Sequence, residues 1–146
     1  RVLLGSDALK PWLGGPNGIL SVPFMVDDGG LFVDALRGFP GVFSAHALQT
    51  IGAAGILKLM DGVADRRARF ECVVSYSDGG DIRSFHGRCD GALTTAPRSD
   101  GHGFGFDPIF VPEGQTRTFA ELPASYKNAF SHRGRALAQL ASFLAP

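Results

Sequence analysis

Asp27 and Asp28 stand side by side after the apolar run VPFMV and directly ahead of Gly29 and Gly30. Adjacent carboxylates offer the hard oxygen ligands that Mg2+ needs, and glycines leave the backbone open beside a phosphate. The same four residues also make an ordinary solvated turn, because aspartate before glycine is a common turn pair. Further along, GFGFDP carries two rings, Phe104 and Phe106, on a backbone whose Gly103 and Gly105 let a planar ligand approach, with Asp107 placed to accept hydrogen bonds. That is the build of a nucleobase clamp, or of a turn whose rings pack inward. Near the C-terminus, SHRGRA sets His132, Arg133 and Arg135 in the first turn of a helix, where free N–H groups already favour a phosphate or a carbonyl oxygen. Positive charge there opposes the helix dipole, which hints at a ligand, and Lys127 lies just upstream.

Other chemistries find no support. His46, His86 and His102 have no metal-ligand spacing and read as surface residues or satisfied hydrogen-bonders. Ser44 lacks a G-x-S-x-G frame, and no GxxxxGK[ST] phosphate loop is present. Cys72 and Cys89 form no CxxC motif and read as buried free thiols.

The elements that must position these residues are legible in part. VPFMV reads as a short buried strand ending at the two aspartates, so the acids are expected at a strand end. LFVDAL leads into GFPGVFS, a loop broken by Gly38, Pro40 and Gly41. Ile51, Ile56, Leu59 and Met60 share a face at helical spacing and predict a short amphipathic helix over 50–60. ARFECVVSY and IRSFHGRCDGAL flank SDGGD and predict a hairpin turning at Gly79 and Gly80; its register sets Cys89 near Phe70, not Cys72, and argues against a disulfide. The stretch from Thr94 to Pro108 reads as a structured loop, followed by a strand at IFV. Ser131 is the expected N-cap of a terminal helix with Ala136, Leu137, Leu140, Ala141 and Leu144 on its apolar face. GGPNG at 14–18 reads as a turn.

With 146 residues, 45% of them hydrophobic and 19% charged, the chain has the profile of one globular α/β domain. Acidic and basic residues balance at 14 each, so no global field draws it to nucleic acid or a membrane surface, and basic residues form no stripe of a nucleic-acid-binding module. No apolar run is long enough to span a bilayer and the opening residues lack the order of a signal peptide, so a cytoplasmic location is expected.

Taken in order, VDDGGLFVDALRGFPGVFSA, RRARFECVV, GFGFDPIFVPEG, TFAEL and KNAFSHRGRAL resemble the inosine/xanthosine triphosphate pyrophosphatase family from about Pro23 to Leu144. The resemblance implies an elongated two-lobed α/β fold with a long mixed sheet flooring a cleft, usually a homodimer. It implies hydrolysis of non-canonical purine triphosphates with Mg2+: Asp28 as general base and metal ligand, Asp27 beside it in the metal site, and Gly29 against the substrate where the family usually has serine. By the same resemblance Phe104, Gly105, Phe106 and Asp107 stack on and hydrogen-bond the base, Lys127 binds substrate, and His132 and Arg133 lie near the base. Family members open with a strand and an [ST]-x-N-x-x-K loop; neither is found, so the chain is expected to lack that segment. A non-catalytic nucleotide-binding or structural remnant is the alternative.

Overall fold

In ARFECVV the side chains of Ala68, Phe70, Cys72 and Val74 alternate with Arg69, Glu71 and Val73, and a strand must then send the two sets to opposite faces of its sheet. In a computed structural model that describes residues 23–146, this segment is β2 (Arg67–Ser77), the second strand of a four-stranded sheet. The order is β1 (Phe24–Val33), β2, β3 (Ile82–Leu93) and β4 (Phe110–Pro112), and all pairings among the described residues are antiparallel. GGPNG lies outside the described residues. The hairpin has the expected register: Phe70 faces Cys89 and Cys72 faces Gly87, so both thiols are buried and free. Burial pushes each thiol up to about 11, which leaves them unreactive.

One face of the sheet carries the core. Leu31 and Val33 from β1, Ala68 and Phe70 from β2, and Cys89 and Leu93 from β3 join Phe110 and Phe119 in one cluster. Cys72 and Val74 continue it beneath the terminal helix, where Ala136 and Leu140 pack on them.

Two elements depart from expectation. The aspartates sit inside β1, not at its end, because β2 pairs through them: Asp27 faces Val74, Asp28 faces Val73 and Gly29 faces Cys72. The glycines that follow extend the ladder, and Gly30 is needed for close approach, since a Cβ there would lie 2.3 Å from the Gly41 carbonyl oxygen. The helix expected over 50–60 is present as α2 (Gly52–Leu59), and an unexpected helix, α1 (Ser44–Thr50), precedes it. Gly52 takes φ 65°, and the chain turns by 115° between the segments. Of the residues expected on its apolar face, Ile56 and Met60 are buried while Ile51 and Leu59 are exposed.

A short helix, α3 (Ala124–Phe130), meets the terminal helix α4 (His132–Leu144) at Ser131. As expected, Ser131 caps α4, its hydroxyl accepting from the Gly134 N–H at 3.1 Å. Of the expected apolar face, Ala136 and Leu140 are buried, and Leu137 and Leu144 are exposed. Gly87 on β3 fixes where α4 lies: a Cβ there would be 1.8 Å from the His132 carbonyl oxygen and 2.7 Å from the Ala136 nitrogen. The helix backbone therefore rests directly on the strand. Gly87→Ala is expected to lose about 2 kcal/mol or more in urea unfolding through overpacking, whereas Gly80→Ala, whose Cβ meets only the Asp78 carboxylate at 3.3 Å, should change stability by roughly 0.5 kcal/mol or less.

Candidate active site

Because α4 begins against the sheet, its first residues line a cleft of about 960 Å3 whose other walls are loop residues 102–106, α3, and parts of β1 and α1. His132 is only 8% exposed, and its ring stacks on Phe70 at 4.7 Å between centroids and 11° between planes. Its Nδ1 is buried and has no hydrogen-bond partner among the described residues. Burial, with Arg133 and Lys127 nearby, pushes the imidazole down to about 3, so the ring is neutral at physiological pH. Its Nε2 points toward Gly29, where a Cβ would lie 3.5 Å away. The hydroxyl of a serine at this position would stand beside the imidazole; glycine leaves that space open.

The aromatic wall comes from the glycine loop. Gly103 and Gly105 adopt φ 84° and 64°, conformations disfavoured for other residues, and between them Phe104 is held outward and 66% exposed. The Asp107 carboxylate accepts from the Phe104 N–H at 2.8 Å and pairs with the Lys127 ammonium. That ammonium also lies 4.1 Å from the Phe104 ring centroid. One buried carboxylate thus ties the loop to α3. Phe106 is placed differently from the sequence reading: it is 4% exposed and packs in the core cluster, so the only exposed ring of the GFGFDP pair is that of Phe104. Ile109 of the Asp107–Ile109 turn that follows is buried in the same cluster.

Gly29, Phe104, Gly105, Phe106, Asp107, Lys127, His132 and Arg133 all line this cleft. The two aspartates do not share it. Strand alternation sends Asp27 to the face on which α4 packs, where its carboxylate accepts from Arg133 Nε at 2.6 Å. Asp28 goes to the opposite face with Gly30 and Phe32, and no ion-pair partner for it occurs among the described residues. The two carboxylates therefore leave β1 on opposite faces. Among the described residues no three His, Cys, Asp or Glu side chains converge to hold an ion.

Three contributors went unread in the sequence. Ser44, dismissed as a nucleophile, bonds the β1 edge instead: its hydroxyl accepts from the Leu31 N–H at 2.8 Å and donates to the Gly41 carbonyl at 2.7 Å. Phe70 floors the cleft as the stacking partner of His132, a role its place opposite Leu31 on the apolar face could have signalled. His102, assigned to the surface, is indeed exposed and also lines the cleft.

These features define a class of site: an α/β cleft with one exposed aromatic ring facing a helix start that bears a neutral histidine and an arginine. The chain belongs to the Ham1 family, whose sequence pattern matches residues 16–143. It is 57% identical over 122 residues to a dITP/XTP pyrophosphatase of Thermococcus kodakarensis, and 49% identical over 126 residues to one of Pyrococcus horikoshii. These matches cover 84% and 86% of this chain, which spans 65% and 66% of the length of those relatives. Among solved structures it is similar to the Staphylococcus aureus Ham1 protein, with a TM-score of 0.79 and 34% identity over 86% of this chain and 68% of that one. A Coxiella burnetii HAM1 protein gives a TM-score of 0.78 and 36% identity, covering 84% of this chain and 67% of that one.

The neutral histidine has a consequence for stability. Its folded pKa lies below the unfolded value, so the unfolded chain binds the extra proton as pH drops; the contribution is fully present above about 6.5 and is lost as pH falls toward 3. Between pH 7 and 4.5 this one group should remove up to ~3 kcal/mol of unfolding free energy. His132→Phe, which keeps a ring against Phe70, is expected to flatten that part of the curve in denaturant unfolding at several pH values; an unchanged slope would reject a neutral buried imidazole.

Proposed function

We propose that this chain hydrolyses non-canonical purine nucleoside triphosphates, the inosine and xanthosine forms including dITP, to the monophosphate and pyrophosphate. The observation that carries the reading is the exposed Phe104 ring standing across one cleft from His132 and Arg133, in a chain whose relatives bear the name dITP/XTP pyrophosphatase. A purine stacks on Phe104, and the 6-oxo group meets N–H donors at the start of α4. Arg133, whose Nε is held by Asp27, supplies such donors from its terminal amino groups. Adenine would set an amine against those donors and leave them unpaired, which discriminates by orders of magnitude. The neutral state of His132 suits the hypoxanthine base of inosine nucleotides, which carries no charge for an imidazolium to offset.

Lys127 is held at the base end by Asp107 and Phe104, so its part is to brace the aromatic wall. Asp28 is the proposed general base, orienting water toward the α-phosphorus from the other face of β1. Mg2+ is proposed as the ion accompanying the triphosphate, with Asp28 as a single carboxylate toward it. A homodimer and a cytoplasmic location are proposed on the family resemblance.

Pyrophosphate release from inosine, xanthosine, guanosine and adenosine triphosphates, with Mg2+ and with chelator, tests the reading. Turnover selective for the first two is expected, with Phe104→Ala lowering kcat/KM by about tenfold or more through lost stacking and Asp28→Asn abolishing most of kcat. Selective nucleotide binding without turnover would assign the chain a binding role alone, a reading favoured by the hydroxyl that Gly29 lacks.

A further inference from the structure

Adjacent acids on a strand invite a single shared task, yet β1 gives Asp27 and Asp28 different neighbours. Asp27 shares its face with Gly29, Leu31 and Val33 and lies under the first turn of α4. Its carboxylate engages Arg133 Nε at 2.6 Å, a short charge-assisted bond between residues 106 positions apart in the chain. Both side chains are about half exposed, so the pair adds little to stability. Its effect is on direction. A guanidinium is planar, so holding Nε restricts the plane in which the terminal amino groups of Arg133, a residue that lines the cleft, can lie.

We infer that Asp27 is a positioning residue that aims the Arg133 guanidinium at the ligand, and that it is not a metal-binding carboxylate. Three further observations support this. The first turn of α4 contains no acid, and it carries Arg133 and Arg135, an unfavourable placement for cations at a helix start. Asp27 supplies the missing negative charge from across the sheet. Of the two adjacent acids, only Asp27 bonds the guanidinium among the described residues. Finally, Asp27 and Asp28 leave opposite faces of β1, and only Asp27 is turned toward α4.

The inference rests on the proposed purine specificity, but its first test does not need a nucleotide. In 15N spectra of the full chain, the Arg133 Nε–H should be protected from solvent exchange, and Asp27→Asn or Asp27→Ala should abolish that protection while the remaining backbone spectrum keeps its folded pattern. Unchanged protection in Asp27→Ala would overturn the inference. The second test is calorimetric binding of inosine and adenosine monophosphates in chelator. Asp27→Ala is expected to weaken inosine monophosphate by about tenfold and adenosine monophosphate little; Arg133→Ala should do the same, the double variant should add no further loss, and Asp27→Glu should recover part of it. Wild-type binding without preference would sink the purine reading alone, leaving the exchange result to decide on Asp27. A preference that survives Asp27→Ala, with only the Mg2+ requirement of turnover shifted, would return Asp27 to a metal role.

Discussion

The contact between the α4 backbone and Gly87 is the constraint on which the site depends. A helix usually stands off a sheet by the length of its side chains; here the His132 carbonyl sits where a β-carbon would be. That closeness seats the His132 ring flat on Phe70 and brings Arg133 within bonding distance of Asp27 on the neighbouring edge. It also buries Nδ1 of His132 without a partner, a local penalty that the surrounding packing must offset. Cys72 and Val74 below the helix and Ala136 and Leu140 within it supply that packing, and all four are buried.

Strand periodicity is the second governing constraint. The alternation that buries Leu31 and Val33 also decides that Asp27 joins the helix face and Asp28 the opposite one. A one-residue slip of β1 would exchange them and turn both apolar residues outward. Ser44 guards against such a slip, because its hydroxyl bonds both Leu31 and the Gly41 carbonyl, locking the outer edge of the strand to the turn ahead of α1.

How much of this was legible in the sequence follows from the range of the interactions involved. The hairpin register could be read from SDGGD and the flanking alternation, and it placed Cys89 beside Phe70 correctly, because a hairpin is set by local turn chemistry. The Ser131 cap is likewise local. The strand end at Asp27 was misjudged, because acids and glycines carry poor strand propensity and only pairing with β2 holds them extended. The helix at 50–60 was legible from its spacing, while α1 ahead of it was not, because it is set off by a positive φ at Gly52 that composition alone does not announce. In the candidate site, residue types were read and directions were not: both rings of GFGFDP look alike in sequence, and the turn at Asp107 turns one outward and the other into the core. Family resemblance supplied the cluster; the pairing of Asp27 with Arg133 required the fold.

The electrostatics of the cleft follow from these placements. Two cations, Lys127 and Arg133, flank one buried imidazole, and that imidazole resists protonation partly because of them. Each cation is in turn held by a carboxylate from outside its own helix: Lys127 by Asp107 of the loop and Arg133 by Asp27 of the strand. Charge in the site is therefore arranged as two anchored pairs around a neutral ring. Such a site presents directed N–H groups with little net positive field, which is the surface a carbonyl-bearing heterocycle needs. Under the proposed function the phosphates are assigned to the face of β1 that carries Asp28, so that the division of the aspartates would match a division of the ligand into base and phosphates.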